Sequence, residues 1–99
     1  MAEYIMAYHG GGEMPEDPEA HQAEFMAWIA GLGDAVVNPG TPLGPSRVVT
    51  SEGVSEEGGV NLMGFSVVKA DSLEAAVEMA RSCPFLVIAP VEVAEAKQM

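Results

Sequence analysis

Positive charge is what this sequence has least of. Only Arg47, Lys69, Arg81 and Lys97 are basic, against fifteen acidic residues, and they stand far apart along the chain. Neutralising phosphates requires clustered lysine and arginine, so nucleic acid and anionic membrane surfaces are not expected partners. The formal charge of −11 serves solubility and self-repulsion, or attraction to a cationic partner. Cysteine is scarce too: with Cys83 alone, no disulfide can close within the chain, which fits a reducing cytoplasm. The N-terminal MAEYIMAYHGGG lacks the basic region and the long apolar run of a secretion signal, and no stretch approaches a membrane span. A cytoplasmic protein is the expectation. Aromatic residues make up only 6%, so the core is built of small and medium side chains with each aromatic at a special point.

What the chain does have is apolar content, 48% over 99 residues, enough for one compact domain spanning 1–99 and too little for two. Glu3 to His9 is rich in Tyr and Ile and predicts a strand with Tyr4, Met6 and Tyr8 on one face and Ile5, Ala7 and His9 on the other. Asp17 followed by Pro18 and Glu19 predicts a capped helix running to about Ala30, with His21, Phe25, Trp28, Ile29 and Leu32 on one stripe. Asp34 to Ser46, with three prolines, reads as a loop with at most a short extended piece at Ala35 to Val37. The β-branched Arg47 to Ser51 predicts the second strand, and Leu62 to Ala70 the third. Asp71 with Glu74 predicts the cap of a second helix whose stripe is Leu73, Ala76, Val77 and Ala80, stopped near Ser82 by Pro84. A last strand is placed at about Val91 to Glu95, with Leu86 to Ile88 packed before it.

The order β-α-β-β-α-β describes an α+β, ferredoxin-like fold: an antiparallel sheet with two helices on one face. Paired apolar residues such as Val48 with Val49 and Val67 with Val68 put apolar groups on both sheet faces. Two helices cover one face only, and an exposed apolar face of that size favours association. Two sheets packed face to face, as a homodimer forming an α+β barrel, is the economical arrangement.

The stretch GFSVVKADSLEAAVEMARSCPFL, with VEV shortly after, resembles the C-terminal half of YCII-related proteins. The first strand, the YHGGG loop, the helix bearing His21 and NPGTPLGPS are similar to one branch of the same family, so the resemblance covers nearly the whole chain. It implies a dimeric ferredoxin-like α+β barrel, mostly without an established activity. It also implies a candidate catalytic histidine at the start of the first helix, which falls on His21, partnered by an Asp before a Pro after the second helix. Here Cys83 precedes Pro84, so that partner is missing, and Glu52-Gly53-Val54-Ser55 stands where many relatives have Asp-Gly-Pro-Phe.

His21 is the leading catalytic candidate, since imidazole changes charge near neutral pH. The same position also suits a histidine that merely hydrogen-bonds at the core edge. His9 with Gly10, Gly11 and Gly12 mimics the HGGG run of esterases but lacks their nucleophile elbow. An anion-binding nest of glycine N–H groups is the other reading. No metal site is expected, because His9 and His21 lack further ligands at a recognisable spacing, and no cofactor is expected either. Cys83, at a helix C-terminus, reads as an inert core thiol. A pocket between the first helix and the sheet would be lined by Tyr8, His9, Trp28 and Phe65 beside His21 and would take a small aromatic or acidic metabolite. Three functions remain open on this evidence: a metabolite-binding protein, a cofactor-free enzyme performing a lyase- or isomerase-like proton transfer through His21, and a non-catalytic structural or regulatory dimer.

Overall fold

Alternating burial along two long strands organises the computed structural model, which describes residues 2–10, 15–44, 46–55 and 62–97. The elements run β1 (Ala2–His9), α1 (Pro18–Leu32), β2 (Val36–Pro42), β3 (Val49–Thr50), β4 (Gly53–Val54), β5 (Leu62–Ala70), α2 (Leu73–Arg81) and β6 (Val91–Ala96), with 3-10 turns at Gly33–Ala35 and Pro84–Val87. Four strands form an antiparallel sheet in the order β2-β5-β1-β6, the ferredoxin-like βαββαβ arrangement expected. Tyr4, Met6 and Tyr8 of β1 and Ser66, Val68 and Ala70 of β5 are buried, and Ala76 and Ala80 of α2 with Phe25 and Trp28 of α1 pack on them. Both helices therefore cover one face. The shortest dimension is 18 Å, the depth of one helix layer on one sheet. Among the described residues no helix is long and apolar enough to cross a membrane.

The second strand of the sheet is not where the sequence places it. Val49 and Thr50 pair with Gly53 and Val54 in a separate small hairpin, and the sheet takes Val36–Pro42, the proline-bearing stretch expected to be irregular. Proline lacks a ladder donor, but an edge strand needs only half its groups paired. Pro39 falls where the register slips between Asn38 and Thr41, so no ladder bond is asked of it. Local hydrogen bonds hold that bulge: Gly40 N–H donates to Asn38 Oδ1 at 2.9 Å, and Asn38 Nδ2 donates to Thr41 Oγ1 at 3.1 Å.

The helix ends follow cap chemistry. Asp17 accepts from Ala20 N–H at 3.1 Å with Pro18 in the first turn, and Gly33 closes α1 with φ of 61°, two residues beyond the expected Ala30 at Leu32. For α2 the cap is Ser72, which accepts from Ala75 N–H at 3.1 Å, and not Asp71. Of the expected stripe, Ala76 and Ala80 are buried, with Ala75 and Met79 packed beside them, while Leu73 and Val77 are 44% and 40% exposed. Likewise Phe85 is buried ahead of β6, whereas Leu86 and Val87 face solvent.

Cys83 and Tyr8 are weak acids buried in this core. Burial pushes the Cys83 thiol from 9.0 up to about 11 against a backbone hydrogen bond from Phe85 that lowers it, consistent with the inert thiol expected. It also raises the Tyr8 phenol from 10.0 to about 12. Below their ordinary values both groups are neutral in folded and unfolded chains. As pH rises past about 9 the unfolded chain ionises first, so stability falls, by up to ~1.4 kcal/mol per pH unit per group, until the folded values are passed. Urea midpoints should hold steady from neutrality to about pH 9 and decline through the 9–12 window; a midpoint unchanged across that window would contradict the assignment. A second prediction concerns Gly64, where a Cβ would lie 2.9 Å from Thr41 O and 3.5 Å from Pro42 Cα. Gly64→Ala should cost ~1–3 kcal/mol by forcing β2 away. Gly40→Ala, meeting nothing closer than 3.7 Å, should remain near wild type in the same denaturation experiment.

Candidate functional site

The bulge in β2 opens a hollow beneath α1. It has a volume of about 350 Å³ and is walled by His21, Phe25 and Met26 of α1, Pro39 to Pro42 of β2, Met63 to Phe65 of β5, Tyr8 of β1, and Phe85 with Ile88 after α2, with Gln22 at its border. The walls are mostly apolar and aromatic, and no Lys or Arg is among them. The acidic ligand allowed by the sequence therefore finds no fixed counter-charge here. A second hollow of about 360 Å³ lies near Lys69, Asp71 and Met79 and contains none of the candidate residues.

His21 sits one turn after the Asp17 cap because the helix stripe carries it toward the sheet with Phe25. Its Nε2 lies 3.2 Å from the carbonyl oxygen of Pro84. A carbonyl can only accept, so Nε2 carries the proton, and in the neutral ring Nδ1 keeps the lone pair. The carboxylate partner missing from the sequence thus has a backbone substitute. It orients the ring without supplying a negative charge.

Tyr8 is the hub of the aromatic cluster. Its ring centroid is 5.5 Å from Phe25, edge-on at 79°, and 5.1 Å from Phe85. Its hydroxyl is 2.6 Å from Ser66 Oγ, and Ser66 Oγ donates to Pro39 O at 2.9 Å. Serine has one hydroxyl proton, already given to the carbonyl, so Tyr8 is the donor to Ser66. Burial, outweighing the Ser66 hydrogen bond, keeps the phenol protonated.

The structure brings Tyr8, His21 and Phe65 to one cavity and leaves His9 and Trp28 outside its walls. Trp28 is drawn to α2, where its Nε1–H lies 3.2 Å from Met79 O and 3.1 Å from Ser82 Oγ. His9 follows strand alternation to the face opposite Tyr8, and its Nε2 lies 2.8 Å from Glu92 Oε1. A carboxylate beside the imidazole opposes the anion nest, whose Gly11 and Gly12 lie outside the described residues. Ser66, Pro39 and Phe85 were not foreseen. Ser66 carried a signal: it is the lone hydroxyl in the inward series Gly64, Ser66, Val68, Ala70. Pro84 gave none, since its contribution is a carbonyl.

No protein-family model and no curated protein matches the chain. Among solved structures it is similar to 5-chloro-2-hydroxyhydroquinone dehydrochlorinase from Burkholderia phenoliruptrix, in complex with 2,5-dihydroxybenzoquinone. That match has a TM-score of 0.61 at 15% identity and covers 98% of this chain and 95% of the other. The shared property is the fold, end to end.

Proposed function

We propose that this is a YCII-related protein whose cavity beside His21 binds a small uncharged aromatic ring. The observation that carries the reading is the cavity itself: four aromatic side chains, no cation, and an imidazole held by Pro84 O. A chain of net charge −11 adds a field that disfavours anions. The structural neighbour's complex with a dihydroxybenzoquinone supports a ring of this size in this fold. A second reading is favoured by the His21–Pro84 hydrogen bond: with Nε2 oriented, Nδ1 is the nitrogen that would take a proton from a bound ring in a lyase- or isomerase-like step. Phenol should bind at least about tenfold more tightly than benzoate in isothermal titration, and tighter benzoate binding would reject the uncharged-ring reading. Once a turned-over ring compound is found, His21→Ala should weaken its binding by no more than about tenfold and lose turnover; unchanged turnover removes the proton-transfer role.

We also infer that two copies associate through the sheet face away from the helices, giving the α+β barrel. What supports this is the row Ile5, Ala7, Val67 and Ala94, which strand register places together on that face, with no element of the described chain laid over it. Val67 lies across from Ile5 and faces away from the core, so Val67→Glu should leave the fold intact and convert a sedimenting dimer into a monomer. A wild-type chain that sediments as a monomer at micromolar concentration would remove the inference.

A further inference from the structure

We propose that the cavity selects ligands by hydrogen-bond polarity, taking a ring that bears hydroxyl or amino donors and rejecting one that offers only carbonyl or ether oxygens. This rests on the reading of the cavity as a small-ring site and adds what the ring must carry. The argument is a count of protons. Ser66 Oγ gives its only proton to Pro39 O at 2.9 Å, so Tyr8, 2.6 Å away, must spend its own proton on Ser66. Towards a ligand Tyr8 Oη is left with lone pairs alone. His21 is set the same way on the other wall: Pro84 O takes the Nε2 proton at 3.2 Å, and Nδ1 of the neutral ring accepts. Two polar groups on separate elements, α1 and β1, thus have a proton drawn towards a backbone carbonyl, Tyr8 through Ser66 and His21 directly, and with the imidazole in its neutral form both present lone pairs. An acceptor-only ligand facing them loses its water and gains no bond from either group, which is the expensive way to bury a polar atom.

The remaining polar walls do not reverse this. Gln22 is exposed, and Thr41 Oγ1 already accepts from Asn38, so both retain donors, but neither is buried as Tyr8 is, at 5% exposure. Ser66 is fully buried and makes no claim to touch the ligand. It is a positioning residue that sets which role Tyr8 plays. Ser66→Ala would return the phenol proton to Tyr8 and let it donate.

The test is a titration of the full chain with resorcinol, its monomethyl ether and its dimethyl ether, which keep the ring and both oxygens while removing donors one at a time. Affinity should fall roughly two- to tenfold for each hydroxyl methylated, and in Ser66→Ala the series should flatten or reverse at one step. Should that variant fail to fold, Tyr8→Phe serves: it should weaken resorcinol and leave the dimethyl ether unchanged. Three compounds bound equally by the wild type, or ethers bound better, overturn the polarity rule while sparing the ring site. Binding of none of them takes down the ring site and the rule together.

Discussion

The hydrogen-bond chain from Tyr8 through Ser66 to Pro39 is the constraint on which the rest of this structure depends. It crosses three strands on the helix face, from β1 to β5 to β2. Edge strand β2 meets β5 in register at only a few residues, and Pro39 lies between two of them. The Ser66 side chain reaches the carbonyl that the ladder leaves behind. Without it, the Pro39 carbonyl would lose its protein partner, a loss of about 1 kcal/mol for an exposed edge-strand group. The bulge therefore persists because a side chain replaces a strand bond. The bulge in turn opens the cavity, and the same serine sets the hydrogen-bonding role of the tyrosine lining it.

Most of the architecture was legible because it is periodic. β1 and β5 alternate strictly, α1 carries an Asp-Pro cap and a helical stripe, and Pro84 ends α2. The second strand was not, for a physical reason: its β-strand signal is broken by Pro39 and Pro42, and what restores it is tertiary. The more strand-like Val49 and Thr50 went to a local hairpin instead. Propensity there identified extended backbone correctly and its pairing partner wrongly. On α2, Asp71 and Ser72 are both good caps and only Ser72 is used, while the small Ala75, Ala76 and Ala80 turn inward and the larger Leu73 and Val77 stay half exposed.

The site divides along the same line. Tyr8 and His21 were recoverable from which side of each element faces inward, whereas Phe65 stands opposite Ala7 on the other side of β5 and borders the cavity beside Gly64. His9 was recoverable too, as an exclusion, since alternation puts it opposite Tyr8. Trp28 shares the helix stripe with His21 but stands seven residues along, two turns of helix or roughly 10 Å away. Its indole N–H found α2 instead. Pocket membership depends on position along a helix as well as on angle around it.

The partner of His21 shows most sharply what a residue-by-residue reading overlooks. Such a reading looks for a carboxylate and finds Cys83, whose thiol burial holds protonated to about 11. The chain nevertheless orients the imidazole, through the next residue's carbonyl, a group every residue has and no sequence pattern marks. The substitution alters the chemistry. A carboxylate would stabilise the imidazolium by charge; a carbonyl fixes the tautomer and adds none. A histidine so held has its Nε2 proton committed to Pro84 O, and across the cavity the Tyr8 proton is committed to Ser66. The walls hold no lysine or arginine, and both polar groups opposite one another, on α1 and β1, are positioned by backbone carbonyls among aromatic rings.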